Sequence, residues 1–166
     1  MKERPLNKRT IFALTLAFLF LLTIPRAESA MVELTLEQLV KSADLIVVGT
    51  VKSVKSEMKK GKVFSYATIA VNSVVKGELE QEQDKIVVKF AGGRVGDIGM
   101  KVENSPNYQK NEKVIAFVEK IPNTSYYRTL GSFQGKFLIE GNFVLRESLE
   151  LKQFLGRIEN IMRSGP

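Results

Sequence analysis

The sequence predicts a mainly β protein, an OB-type, partly closed antiparallel barrel with a short N-terminal helix and a C-terminal helix. Three observations carry that prediction. Apolar and β-branched residues fall in runs at 45–55, 63–75, 85–90, 113–119, 126–132 and 136–140, separated by Gly, Pro and Asn turn signals. The first two runs are long, and the first breaks strict alternation at Val51 and Val54. A bulge near Lys52-Ser53 would restore the alternation, and bulges are how barrels bend their strands. Helical spacing occurs only in two stretches that flank these runs, one ahead of the first and one after the last.

The chain opens with Lys2, Arg4, Lys8 and Arg9, then an apolar run from Ile11 to Ile24. Fourteen helical residues rise about 21 Å, short of the ~30 Å hydrocarbon core of a bilayer. Basic flank, short apolar run, Pro25 and small residues describe a secretory signal over 1–29. Ala27 and Ser29 supply the small side chains for cleavage before Ala30. Residues 30–166 then form a single OB-like β-barrel domain. If the segment stays uncleaved, it is the chain's only membrane contact.

The next elements follow in order. Thr35 and Gln38 fit a capping box, and Leu36, Leu39, Val40 and Ala43 repeat at helical spacing. Residues 45–55 are the first strand, with a polar turn from Glu57 to Lys62. Residues 63–75 are the second, with Val63, Ala67, Ile69, Val71 and Val75 on one face and Phe64, Tyr66, Thr68 and Asn72 on the other. Lys76-Gly77 and the acidic Glu78, Glu80, Glu82 and Asp84 make a solvated loop. Residues 85–90 are a third strand. Residues 113–119, apolar on both faces, are a central fourth. Residues 126–132 and 136–140 pair as a hairpin around Gln134-Gly135, and Gly141-Asn142 turns into a short strand. Ser148 caps a last helix whose apolar stripe is Leu151, Phe154, Leu155, Ile158, Ile161 and Met162. The helices are expected at the ends of the barrel.

Residues 91–112 stand apart. They hold four Gly, three Asn and one Pro over 22 residues, beyond the usual loop limit of ~12–15. Such a segment binds something, braces something, or hides a hairpin near Ile98 to Val102. Gly92, Gly93 and Arg94 could form a backbone nest for an anion; the competing account is a tight barrel-corner turn. Arg94 is the only Arg between residues 27 and 127. Either it pairs inward with Asp97 or Glu103 and braces the loop, or it points outward beside Tyr108 as a contact anchor. Phe64 and Tyr66 form a binding platform if no helix covers them.

Composition narrows the chemistry. The chain has no His, Cys or Trp, so no disulfide, zinc finger, haem ligand, or His or Cys catalytic system can be built from it. No resident metal or cofactor is expected, and no catalytic residue is assigned. Ser56-Glu57-Met58-Lys59 has Ser-Lys spacing, but it is expected in an exposed turn, where Lys59 would be a poor base. Net charge is +7 for the whole chain; residues 1–29 carry five cations and two carboxylates, leaving +4. That charge is scattered in sequence, with no run of the kind that nucleic acid binding requires.

The opening Leu39-Val40-Lys41-Ser42-Ala43-Asp44-Leu45-Ile46-Val47-Val48-Gly49-Thr50-Val51 resembles that of many small exported bacterial and archaeal proteins of uncharacterised function. The likeness continues through Val74-Val75-Lys76-Gly77, the Gly92-Gly93 loop, Asn111 to Phe117 and Gly131-Ser132-Phe133-Gln134-Gly135-Lys136-Phe137, covering most of residues 36–140. The helix-to-strand opening and barrel pattern are also similar to the netrin-like or TIMP-like OB fold of metalloproteinase inhibitors. Those inhibitors place a disulfide-held N-terminal Cys on the catalytic zinc. With no Cys here, the resemblance implies the fold and not that mechanism.

The expected function is an exported, non-enzymatic binding module (secreted, periplasmic or envelope-associated) engaging an extracytoplasmic protein partner, protease-related by the fold likeness. Gly92, Gly93, Arg94, Asp97, Tyr108, Phe64 and Tyr66 are its candidate binding residues. One alternative is a ligand-binding protein for envelope glycans or a polyanion. Another is a hydrolase with a carboxylate site. A deep pocket with two facing carboxylates favours the hydrolase, a shallow aromatic strip the glycan, and a flat apolar patch beside the glycine loop the protein partner.

Overall fold

A computed structural model describes residues 32–79 and 84–165, and the residues from Glu33 onward form one compact unit. The expected signal segment 1–29, the expected cleavage before Ala30, and Glu80 and Glu82 of the acidic loop lie outside the described residues.

Helix α1 (Leu36–Ser42) starts as its capping box requires: Gln38 N–H donates to Thr35 Oγ1 at 3.2 Å, and Thr35 N–H donates to Gln38 Oε1 at 2.8 Å. Its far end is closed by Lys76, whose Nζ donates to the carbonyls of Val40, Lys41 and Ala43 at 2.7, 3.0 and 2.6 Å. A cation there also opposes the negative end of the helix dipole.

Strands β1 (Leu45–Lys59) and β2 (Lys62–Lys76) run as a long antiparallel ribbon. Their turn is shorter than expected, only Lys60 and Gly61, both at positive φ as a two-residue hairpin turn demands. The register slips between Val51 and Ser53, at the expected bulge. Gly49 is required by close approach, since a Cβ there would lie 2.5 Å from the carbonyl oxygen of Ala70. Then come β3 (Lys85–Ala91), β4 (Gly93–Val95), β5 (Ile98–Met100), β6 (Lys113–Lys120), β7 (Tyr126–Thr129), β8 (Lys136–Glu140), β9 (Phe143–Val144) and β10 (Leu149–Glu150), followed by helix α2 (Leu151–Arg163).

Five strands close a ring in the order β1-β2-β3-β7-β6 and back to β1. All its pairings are antiparallel except β3 with β7, which is parallel through Val87 opposite Tyr126 and Val88 opposite Tyr127. The OB-type, partly closed barrel is therefore present, built from a mixed sheet.

Several local expectations are corrected. Strands β7 and β8 do not pair with each other. Both lie antiparallel along β6, β7 against Val118 to Lys120 and β8 against Lys113 to Ala116. They are one strand line interrupted at Gly131 to Gln134, and Gly135 N–H closes the excursion on Leu130 O at 2.9 Å. The hidden hairpin spans β4 and β5 and turns at Gly96-Asp97, so its turn lies ahead of the stretch from Ile98 to Val102 expected to hold it. Ser148 ends a short 3-10 turn in the left-handed conformation, and Glu150 is the N-cap of α2. Within the α2 stripe Phe154 and Ile158 are buried, while Leu151 and Leu155 are half-buried.

Alternation divides the apolar residues between two cores. Leu45, Val47, Ala67, Ile69, Ile86, Val88, Val114, Ala116 and Val118 fill the barrel. Ile46, Ile115, Phe117, Phe137 and Ile139 point outward and pack under Leu39 and Val40 of α1 and Phe154 and Ile158 of α2. Val75 joins this outer core rather than the barrel face expected of it, because the β1–β2 register slips again near Ile46 and Val48. Strand β6 feeds both cores, which is why residues 114–118 are apolar at every position. The helices thus cover one outer side of the barrel, at β1, β6 and β8, rather than its ends.

Candidate functional site

The glycine-rich segment is scaffold at most of its expected positions. Gly92 is buried, its N–H donates to Val63 O at 2.8 Å, and its carbonyl accepts from Ser65 Oγ at 2.6 Å. Its N–H is therefore not free to cradle an anion. At Gly93, with φ +127°, a Cβ would meet Ser65 Oγ at 2.2 Å and Ser56 Oγ at 2.6 Å. Those two hydroxyls bond each other at 2.8 Å and pin the β4–β5 hairpin to the β1–β2 ribbon. Asp97 occupies the exposed hairpin turn, and among the described residues Arg94 forms no ion pair with it or with Glu103.

Tyr108 is corrected from surface anchor to plug. It is 3% exposed, and its hydroxyl bonds Thr129 Oγ1 at 2.8 Å inside the barrel. Burial is the main cause that pushes its phenol pKa well above the ordinary range. Lys136 Nζ lies 4.9 Å from its ring centre, bonds Asn107 O, and pairs with Glu112 at 2.6 Å. Glu112 also accepts from Gln109 N–H at 2.9 Å. Residues 106–112 therefore brace one mouth of the barrel.

Phe64 and Tyr66 fare differently. Tyr66 and Thr68 on β2 pair with Lys89 and Val87 on β3, and Val87 pairs with Tyr126 on β7. Their inward neighbours Ala67, Ile69, Val88 and Tyr127 belong to the barrel core. Phe64, Tyr66, Lys89 and Tyr126 therefore stand on the outer face that neither α1 nor α2 covers. The Tyr66 and Tyr126 rings lie 5.1 Å apart and tilted. Lys89 Nζ sits 4.7 Å from the Phe64 ring centre and 5.8 Å from that of Tyr66. Tyr66 donates to Glu57 Oε1 at 2.6 Å. Its phenol is pushed up to about 12, first by burial of the ring and then by that carboxylate.

A shallow groove of about 220 Å³ continues from this strip, lined by Lys89, Phe90, Glu103, Ser105, Arg128 and Ser132. Arg128 is held by Glu119 at 2.6 Å, which raises its pKa. Sequence reasoning found Phe64 and Tyr66 but missed Lys89, Tyr126 and Arg128 as site residues, because a parallel β3–β7 pairing leaves no local trace in sequence. Among the described residues no cluster of His, Cys, Asp or Glu could hold a metal ion.

The residues that carry the family resemblance have structural duties. Asp44 Oδ2 accepts from Lys120 N–H at 2.8 Å and locks β1 to β6. A Cβ on Gly77 would lie 2.3 Å from Asp44 O. Gln134 Oε1 accepts from Leu34 N–H at 2.7 Å, and its carbonyl accepts from Arg146. No protein-family model matches the chain, and no curated protein matches it.

Proposed function

We propose that this chain is an exported, non-enzymatic binding module that holds a glycan strand of the cell envelope against the bare outer face of β2, β3 and β7. The observation that carries the reading is the cluster of Phe64, Tyr66 and Tyr126 around Lys89 on a sheet face that neither described helix covers. Aromatic faces stack on the C–H faces of sugars, and flanking hydroxyl, amine and guanidinium groups supply directional hydrogen bonds. Small OB barrels use the same side, around the second and third strands, for oligosaccharides. Export rests on residues 1–29. Membership among the small exported barrels with the same opening is supported by the duties of Asp44, Gly49 and Lys76-Gly77, which fix barrel geometry and leave the outer face free to vary.

Two other readings have less support. A protein partner gripping the glycine loop loses its expected anchor, since Tyr108 is internal. For a hydrolase, Glu150 and Glu159 line one groove, but both are exposed and Glu159 pairs with Arg163. A general-acid carboxyl needs burial to hold its proton near neutral pH.

The test is affinity electrophoresis of the exported protein through gels containing envelope polysaccharide of the producing cell. Retardation that Tyr66→Ala and Tyr126→Ala each reduce by about tenfold in apparent affinity, with little change in stability, is the expected result. Equal mobility of the parent with and without polysaccharide overturns the reading.

A further inference from the structure

The charge that looks scattered in sequence is gathered by the fold. On β1, Glu57 lies opposite Phe64, Lys55 opposite Tyr66 and Lys59 opposite Lys62, so these residues share the outer face. On β3, Lys85 lies opposite Ala70 and Lys89 opposite Tyr66. Arg128, two residues past Tyr126, is on the same side of β7, facing Glu119 of β6. Among the described residues the strands of this face therefore carry Lys55, Lys59, Lys62, Lys85, Lys89 and Arg128 against Glu57 and Glu119, with Glu103 lining the groove beside Lys89 and Arg128. One row crosses three strands as Lys55, Tyr66 and Lys89, and Arg128 follows the last β3–β7 pair, Val88 with Tyr127, by one residue.

Two features of that arrangement call for a ligand. Lys59 stands directly opposite Lys62, and like charges in that position destabilise a strand pair. The side chains of Lys55, Lys62 and Lys85 are exposed and form no hydrogen bond or ion pair among the described residues, so the amines carry no structural duty there. Neighbouring strands lie about 4.8 Å apart, comparable to the length of one sugar ring. A linear polymer lying across the strands would bring one ring over Tyr66 and its substituents toward Lys55 and Lys89.

We infer that the glycan is anionic and carboxylated, a uronic-acid-rich polysaccharide whose carboxylates meet Lys55, Lys62, Lys85, Lys89 and Arg128 while its rings stack on Phe64, Tyr66 and Tyr126. This rests on the glycan-binding role proposed for the face and names its ligand class. The aromatics select a sugar and the cations an anion; a uronate carries both on one unit. A phosphate polymer offers the charge with no face to stack.

The test is calorimetric titration of the full exported protein with polygalacturonate, with the same polymer after reduction of its carboxyls to alcohols, with inorganic polyphosphate, and with neutral envelope glycan. Polygalacturonate should bind and weaken by about tenfold or more between low and physiological salt, and the reduced polymer should bind at least about tenfold more weakly than its parent. Combining Lys55→Gln, Lys62→Gln and Lys85→Gln should cost about tenfold at low salt with an unchanged melting temperature, whereas Lys152→Gln on α2 should cost nothing. Equal, salt-insensitive binding of the charged and reduced polymers overturns the anionic inference and leaves the glycan reading standing. Polyphosphate binding as tight as polygalacturonate overturns the carboxylate assignment. Absence of binding to all four, neutral glycan included, overturns both.

Discussion

The outer face of β1, β6 and β8 and the outer face of β2, β3 and β7 come from strands with the same alternation and the same inward core. On the first, the outward residues are Ile46, Ile115, Phe117, Phe137 and Ile139, and two helices close over them. On the second, the outward residues are Lys55, Phe64, Tyr66, Lys89, Tyr126 and Arg128, and nothing in the described chain covers them. The first face is apolar without aromatic hydroxyls or amines, as a surface sealed from water must be. The second mixes ring faces with charges, a surface that keeps its tips in water while offering apolar area. Substitutions on the two faces should therefore report different things, folding on the covered side and binding on the bare one.

The largest effect is expected under the helices. Phe154 is fully buried and its ring lies 4.9 Å from that of Phe137. Phe154→Ala should lower unfolding free energy by ~3–5 kcal/mol, read by denaturant titration. A loss within error would mean that α2 is not docked, and the contrast between the faces would fail.

Next comes the brace at the barrel mouth. Lys136 and Glu112 are 12% and 17% exposed in their side chains. Lys136→Met leaves Glu112 without its cation and should cost ~1–3 kcal/mol, at the low end because the pair is not fully buried. Amide exchange at residues 106–112 should rise in the same variant.

On the bare face, Tyr66→Ala should weaken glycan binding by about tenfold (~1.4 kcal/mol) while changing stability by less than ~1 kcal/mol. A large stability loss with binding intact would make the strip structural.

Alkaline pH sharpens the comparison further. Because the Tyr66 phenol is raised from 10.0 to about 12, folding favours its protonated form. That contribution is fully present below the unfolded pKa and is lost as pH rises through about 10 to 12. Tyr66→Phe should therefore show a shallower fall in stability over this window than the parent, measured by denaturant titration at several alkaline pH values. Tyr108, shifted the same way by deeper burial, keeps its slope in both.

The smallest effect belongs to Arg94. It is exposed and forms no ion pair among the described residues, so Arg94→Ala should shift the melting transition by no more than ~0.5 kcal/mol in stability. A larger change would reopen the loop as a functional element.

What sequence alone determined here is local. Thr35 and Gln38 announce their helix because a capping box is satisfied within four residues. The bulge at Val51 to Ser53 shows because a slip in a period of two is visible along one strand. The double-sided apolar run 114–118 announces a strand buried on both faces before any partner is known. Tertiary structure decided the rest. Tyr108 reads as an exposed loop aromatic, and only the return of the chain past Thr129 makes it internal. Arg128 and Lys89 are 39 residues apart, and the parallel β3–β7 pairing that aligns them is set by ring closure. Which outer face the helices cover is likewise undetermined by alternation, which separates inside from outside but does not distinguish one outside from another. That choice fell to where Phe154, Ile158, Leu39 and Val40 find complementary apolar area, a sum over residues distant in sequence.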